Sequence, residues 1–392
     1  MRESLGVDRA ALAGEIETRR RALAATMAEQ RIEALVVATE ANAFYLTGYE
    51  TTFFGNKSKP FVVVFVPPDA IVVCHVGEEP SVRLDAVDVE VLPYVGPDVL
   101  EVTGGVQIDY QVPAARAVSE LLRERGIGTI GAELTWHFIP GFTPHAFDEL
   151  RSRFAGAVVD ASPAIWQARR VKSAWELEQM RIAAEAAERT HQAFAAEARV
   201  GMSERELNRL LRRAAYEAGA EKIGYSGIMA GIDRAPLGGP TNRRWERRQL
   251  LFADICLQLN GGYFADFNRV YASAAPSAAE RAAYAAVVDA LDRAREVVRA
   301  GATPSELADA MLGDTPSIYA RVGHGLGLEM PEPPSLSPQD GTPLRPGEVL
   351  CLEPNRQVPG VGWLVSEEEV VVREGGFELL SPPFPRELGV IG

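Results

Sequence analysis

The chain has 392 residues, 47% of them hydrophobic and 24% charged, enough apolar material for a core in each of two ordinary domains. Its 40 basic and 54 acidic residues leave a net charge of -14, which repels phosphate backbones and anionic lipid, so neither nucleic acid nor a membrane surface is an expected partner. No apolar run approaches the length of a bilayer span, and the opening MRESLGVDRAALAGEIETRRR is charged and helical rather than signal-like, so a cytoplasmic protein is expected.

From Arg31 onward, β-rich runs (ALVVAT, FVVVFVPP, AIVVCHV, VEVLPYV) alternate with helical stretches such as 113–126, the pattern of an α/β layer. A Pro-containing segment near Asp160 then leads into a long amphipathic helix, for which Ser173 is the expected N-cap with Glu176 three residues on. The boundary is placed there, giving domains 1–165 and 166–392. Ala-rich helices follow at about 174–198, 203–219 and 277–300, then a block dense in short strands and Gly/Pro turns. Helices outside and a curved sheet inside suit that order, an α+β arrangement. The three cysteines, Cys74, Cys256 and Cys351, are widely spaced and form no CxxC pair, so neither a disulfide framework nor a zinc knuckle is expected.

Three segments carry chemistry. LLFADICLQLNGGYFADFNRVYA (250–272) reads as a β-hairpin turning at Asn260-Gly261-Gly262, with Asp254 and Asp266 on facing strands. Carboxylates in so apolar a hairpin are costly to bury unless a cation neutralises them, and solvent-facing aspartates are the plainer alternative. RVGHGLGLEMPEPPS (321–335) sets His324 among glycines that permit close backbone approach. LCLEP and WLVSEEEVVV place Glu353 on one apolar strand and Glu367 at the start of another.

In order and spacing these residues resemble the pita-bread metallopeptidases, the family of aminopeptidase P, prolidase, methionine aminopeptidase and creatinase. The phrases GHGLGLE, PLRPGEVLCLEP and PGVGWLVSEEE carry the likeness, and EALVVATEANAFYLTGYET resembles the opening of the smaller domain of the prolidase and creatinase branch. The resemblance implies an α/β N-terminal domain and an α+β C-terminal domain whose curved antiparallel sheet is covered by helices. It also implies metal ligands at Asp254, Asp266, His324, Glu353 and Glu367. One or two divalent ions (Mn, Zn, Co or Fe) would activate a hydroxide that attacks an amide C–N bond, with Glu353 and His324 as catalytic residues. A homodimer is implied by the two-domain relatives.

Four departures matter. The hairpin aspartates stand one residue closer in that family than Asp254 and Asp266 do, so an extra turn residue or a bulge is expected here, failing which Ile255 takes the ligand position. Cys256 shares a strand face with Asp254, and Cys351 shares one with Glu353, so either thiol could line the site or simply pack there. Two histidines that the peptidases use to position substrate and move protons are absent, Gly238 or Gly239 occupying one place and Pro331-Glu332 the other. His75, His137, His145 and His191 lie far away in sequence, where structural or surface roles are expected. Finally, Arg243 and Arg244 precede the hairpin and could clamp a substrate carboxylate, a solvated turn being the plainer reading, with Glu332 a further substrate contact. The expected function is therefore an Xaa-Pro peptidase-like metallohydrolase. A non-peptidase on the same fold is the alternative, a C–N hydrolase or lyase of a small zwitterion with metal-free catalysis left open, and an inactive peptide- or protein-binding module is the third reading.

Overall fold

A computed structural model describes residues 8–51, 59–102, 105–135, 142–236, 238–313 and 321–392. The described residues separate into two compact units, one formed by residues up to 169 and the other by 170–392. No helix among the described residues is long and apolar enough to cross a membrane.

The first unit contains α1 (Arg9–Glu29), β1 (Ala34–Val37), α2 (Glu40–Thr47), β2 (Val62–Val66), β3 (Asp69–His75), α3 (Glu79–Asp85), β4 (Glu90–Tyr94), a hairpin of β5 (Asp98–Val102) and β6 (Gly105–Asp109), α4 (Gln111–Glu124), β7 (Thr129–Ala132), α5 (Pro144–Arg153), β8 (Ala157–Asp160) and α6 (Ser162–Arg170). Six of the strands form one mixed sheet in the order β4-β3-β2-β1-β7-β8. The apolar runs are buried on both faces because alternate residues serve two cores. Leu35, Val63, Phe65 and Val72 pack with Leu23 and Met27 of α1 and Ile165 of α6, whereas Val36, Val62, Val64 and Val73 pack with Val118 and Leu122 of α4 and Leu150 of α5.

The second unit opens with α7 (Ala174–Glu197) and α8 (Glu204–Glu217). Each begins with a reciprocal capping box. At the first, the Glu176 N–H donates to Ser173 Oγ at 3.1 Å and the Ser173 N–H donates to Glu176 Oε2 at 2.7 Å. Then come β9 (Lys222–Ala230), β10 (Leu250–Gln258), β11 (Phe264–Ala272), α9 (Ala278–Val297) and α10 (Pro304–Leu312). The C-terminal strands are β12 (Gly323–Gly325), β13 (Glu332–Ser335), β14 (Val349–Leu352), β15 (Asn355–Val358), β16 (Gly362–Val365), β17 (Glu368–Arg373), β18 (Gly376–Leu379) and β19 (Gly389–Val390). They build a β19-β11-β10-β9 sheet, an antiparallel β13-β12-β14-β17-β18 sheet and a β15–β16 hairpin.

Side-chain alternation in β10 and β11 sorts the interior into two compartments. Leu251, Ala253, Ile255, Leu257, Ala265, Phe267 and Tyr271 pack outward onto α7 and α8. Leu250, Phe252, Val270 and Ala272 turn inward, joining Leu350, Leu352, Val370 and Val372 of the other sheet and the apolar faces of α9 and α10. Asp254 and Asp266 share this inward face of β10 and β11, whereas Cys351 and Glu369 alternate with Leu350, Leu352 and Val370 and leave their sheet on its other face.

Candidate metal centre

β10 and β11 pair without interruption from Leu250↔Ala272 to Gln258↔Phe264, so Asp254 stands opposite Asn268 and Cys256 opposite Asp266. Directly opposed residues in an antiparallel pair share a face, which puts Asp254, Cys256, Asp266 and Asn268 together. Of the two adjustments expected, the ladder shows no bulge between these strands, which leaves the turn to hold the extra residue, and Ile255 does not take the ligand position. An even spacing keeps both aspartates on one face in a regular ladder, and Ile255 packs on the helix side. The turn spans 259–263, and its left-handed residue is Gly262 (φ 82°) rather than Asn260.

The other sheet supplies the facing half. His324 of β12 is opposite Cys351 of β14, and Cys351 is opposite Glu369 of β17. That row therefore points one way, and Glu353 and Glu367 lie two residues along their chains from its members. Close approach depends on glycine. A Cβ at Gly323 (φ 155°) would fall 2.3 Å from the Cys351 carbonyl oxygen, and one at Gly325 would fall 2.3 Å from that of Pro333.

Among the described residues, ligand atoms of Asp266, His324, Cys351 and Glu367 all lie within 4.8 Å of one another. His324 Nε2 is 3.6 Å from Asp266 Oδ2 and 3.4 Å from Glu353 Oε1. Its Nδ1 lies 2.9 Å from the Gly325 carbonyl oxygen, which can only accept, so Nδ1 carries the proton and the Nε2 lone pair faces the carboxylates. Asn268 Nδ2 donates to Glu367 Oε2 at 3.2 Å, and the Asp266 N–H donates to Glu369 Oε1. Asp254 Oδ1 and Glu369 Oε2 are buried with no hydrogen-bond partner.

Burial dominates the electrostatics. It lifts the Asp254 carboxyl to about 7, with the Glu353 charge adding to it, and lifts Glu353 to about 7 and Glu369 to about 8. Asp266 and Glu367 rise well above the usual carboxylate range through burial and the neighbouring acids, with Arg321 partly offsetting the rise at Asp266. Five desolvated acids, a histidine lone pair turned toward two of them and two orphaned carboxylate oxygens fit a divalent cation.

The remaining expected residues fall elsewhere. Glu332 is 2% exposed, and its Oε2 accepts from Lys172 Nζ at 2.9 Å, so its charge is committed to a buried ion pair rather than to substrate. Arg243 binds Asp233 at 2.5 Å and lines a cavity of about 550 Å³ whose walls include none of the donors. Arg244 is exposed and donates to the Gly201 carbonyl at 2.6 Å. Neither arginine joins the cluster. Cys256 leans toward β9, its Sγ 3.4 Å from where a Gly224 Cβ would stand.

His191 is buried behind the hairpin, stacked on Phe267 with Nε2 3.0 Å from the Phe267 carbonyl oxygen, and burial together with Arg269 pushes it down to about 3. It packs against the outer face. His75 and His145 belong to the first unit, and His137 lies outside the described residues. Arg269 stacks over Phe267 and pairs with Glu188 of α7 at 3.0 Å, bracing the hairpin from outside. The sequence carries no local signal that distinguishes Glu369 or Arg321. The SEEE run offers three glutamates, and only strand pairing shows that Glu367 and Glu369 face the cluster while Glu368 turns away to Arg295 of α9.

Residues 178–374, just over half of the chain, match metallopeptidase family M24, and residues 19–171 match the creatinase/prolidase N-terminal domain. The chain belongs to metallopeptidase family M24. This M24 chain is 31% identical over 220 residues to an Xaa-Pro dipeptidase of Pyrococcus furiosus, an alignment covering 54% of the chain and 63% of that enzyme's length. An uncharacterized peptidase of Staphylococcus aureus aligns at 24% identity over 366 residues, 90% of the chain and 95% of the relative. Among solved structures, recombinant prolidase from Thermococcus sibiricus superposes with a TM-score of 0.82 at 20% identity, covering 98% of this chain and all of that one (100%), which establishes the shared two-domain fold. Divalent-metal use is implied by the M24 family, and the donor set described above suits it.

The raised carboxyls give a stability prediction with a definite sign. Acids whose folded values lie above their unfolded values of 3.8 and 4.5 stabilise the protonated fold, and that contribution is lost as pH climbs through the folded values of about 7 to 8. Chelator-treated M24 protein is therefore expected to melt at progressively lower temperature between pH ~5 and pH ~8. A divalent ion added at the upper end should recover the loss, since it binds the folded state alone. A flat or rising melting temperature across that range would contradict the buried-acid account.

Proposed function

We propose that the chain is a metal-dependent hydrolase of small Xaa-Pro peptides, dipeptides first among them. The observation carrying this reading is the convergence of Asp266 of β11, His324 of β12 and Glu367, just before β17, with Asp254 and Glu353 beside them. These residues would hold one or two divalent ions, which when bound polarise a scissile carbonyl and acidify a coordinated water. Glu353 takes the proton of the attacking water and returns it to the leaving amine. The Gly325 carbonyl fixes the His324 tautomer, so that Nε2 serves as the ligand atom. The peptide substrate class is supported by the dipeptidase of Pyrococcus furiosus.

One observation favours a second reading. Among the described residues, nothing beyond the chain neighbours lies within 4 Å of a Cβ at Gly238 or Gly239, and glycine and Pro331 stand where the two further histidines are expected. That suits a C–N hydrolase or lyase acting on a small zwitterion. Protein reconstituted with Mn, Zn, Co or Fe should turn over at least one Xaa-Pro dipeptide saturably and only in the presence of metal. Inactivity toward a full dipeptide and tripeptide panel, with metal bound, would sink the peptidase reading. Turnover of a creatine-, ectoine- or sulfoniopropionate-type zwitterion under the same conditions would establish the second.

A further inference from the structure

We propose that Cys351 is a metal ligand, making this an aspartate–histidine–cysteine–glutamate centre that prefers thiophilic ions such as zinc and cobalt to manganese. The inference rests on the metallohydrolase reading and adds to it a donor that changes which ion is held.

The geometry starts from register. Cys351 occupies the middle of the row His324–Cys351–Glu369 across β12, β14 and β17, so its side chain leaves the sheet on the same face as the histidine and the acid. Its sulfur, the His324 ring nitrogen and one carboxylate oxygen each of Asp266 and Glu367 can all meet within 4.8 Å, a spacing that a single ion can bridge. The residue is wholly buried, and its contact with the Asp266 carbonyl oxygen, at 3.9 Å, is long even for sulfur. Directly opposite it, Glu369 is also fully buried and keeps one oxygen without a hydrogen-bond partner, an independent sign that the face is built for a cation.

Cys256 is the internal control. It is equally buried and lies across from Asp266, yet it does not belong to the four-donor group and packs toward Gly224 instead. As the sulfur–metal bond forms, the thiol proton is released to solvent, so the ion gains a thiolate in a set otherwise made of oxygen and imidazole. Thiolate favours zinc and cobalt, whereas carboxylates alone suit manganese.

Cobalt(II) is the probe, with uptake measured first on the full-length chain. Wild-type and Cys256→Ser proteins should show an intense near-ultraviolet sulfur-to-cobalt charge-transfer band. Cys351→Ser should still take up cobalt, visible in its d–d bands, but lack the charge-transfer band. It should also lose its preference for zinc over manganese by about 10-fold or more, the scale on which even the outer partners of metal ligands act. Zinc-edge X-ray absorption on the unmutated protein needs no folded variant and should place one sulfur at about 2.3 Å. A charge-transfer band undiminished in Cys351→Ser, or bound cobalt and zinc with no sulfur neighbour in the wild type, would overturn the inference and leave the metallohydrolase reading standing. Failure of the wild type to bind any divalent ion would overturn both.

Discussion

Replacing Glu353 by glutamine is expected to lower kcat toward a turned-over Xaa-Pro dipeptide by about 100- to 10,000-fold, the usual worth of a positioned proton acceptor. The expectation comes from how Glu353 differs from its neighbours. Its side chain keeps 29% of its surface exposed, whereas His324 and Asp266 keep 4% and 5%. It is therefore the acid beside His324 that water can reach. Burial still lifts it to about 7, which suits a group that must accept and return a proton near neutral pH. Glutamine preserves the shape and one oxygen acceptor but cannot carry the proton. Steady-state kinetics combined with elemental analysis separates this role from simple ligation. In Glu353→Gln the activity per bound ion should collapse and KM should change little. In Asp266→Asn the metal content itself should fall, because that carboxylate is one of the four donors grouped within 4.8 Å. Wild-type kcat in a fully metallated Glu353→Gln protein would remove Glu353 from the proton path.

The sequence makes local structure legible and leaves non-local pairing obscure. Ser173 with Glu176 three residues on is a complete capping box in the folded chain, and the helices expected at 174–198, 203–219 and 277–300 form as Ala174–Glu197, Glu204–Glu217 and Ala278–Val297. These signals lie within one or two turns of chain, so they can be read directly. The hairpin is legible, but which face Asp254 takes depends on the register of β10 against β11, and the sequence leaves both the turn and a bulge open as the place of the extra residue. Glu369 and Cys351 were harder. Their places follow from the β12–β14–β17 pairing, which joins segments some tens of residues apart and has no local signature. Arg243 and Arg244 fit a carboxylate clamp or, more plainly, a solvated turn, and in the fold Asp233 and the Gly201 carbonyl engage them.

Lys172→Met is expected to destabilise the C-terminal unit by about 3–5 kcal/mol, the cost of breaking a buried ion pair and stranding one charge. Lys172 and Glu332 are 2% exposed as side chains and 2.9 Å apart, separated by 160 residues of chain. The other Glu332 oxygen accepts from the Glu329 N–H at 3.2 Å, and a Cβ at Gly327 would sit 2.6 Å from the carboxylate, so the anion has little room to turn toward water. The same stretch is held again one step away. The Lys172 N–H donates to the Gly347 carbonyl, and Arg170 and Arg345 both bind the buried Glu348 carboxylate, at 2.9 and 3.1 Å. The segment leading into α7 is thereby fastened to the loops flanking β12 and β14, the strands that carry His324 and Cys351. Removing both charges together tests the argument, because a buried pair replaced by apolar groups of similar volume is often neutral. Lys172→Met/Glu332→Leu should therefore recover most of the stability lost by Lys172→Met in urea-induced unfolding. A single variant within about 1 kcal/mol of wild type, the range of an exposed pair, would show that the charge is not buried as described. A double variant no better than the single would show that packing of the lysine stem, rather than the stranded carboxylate, sets the cost.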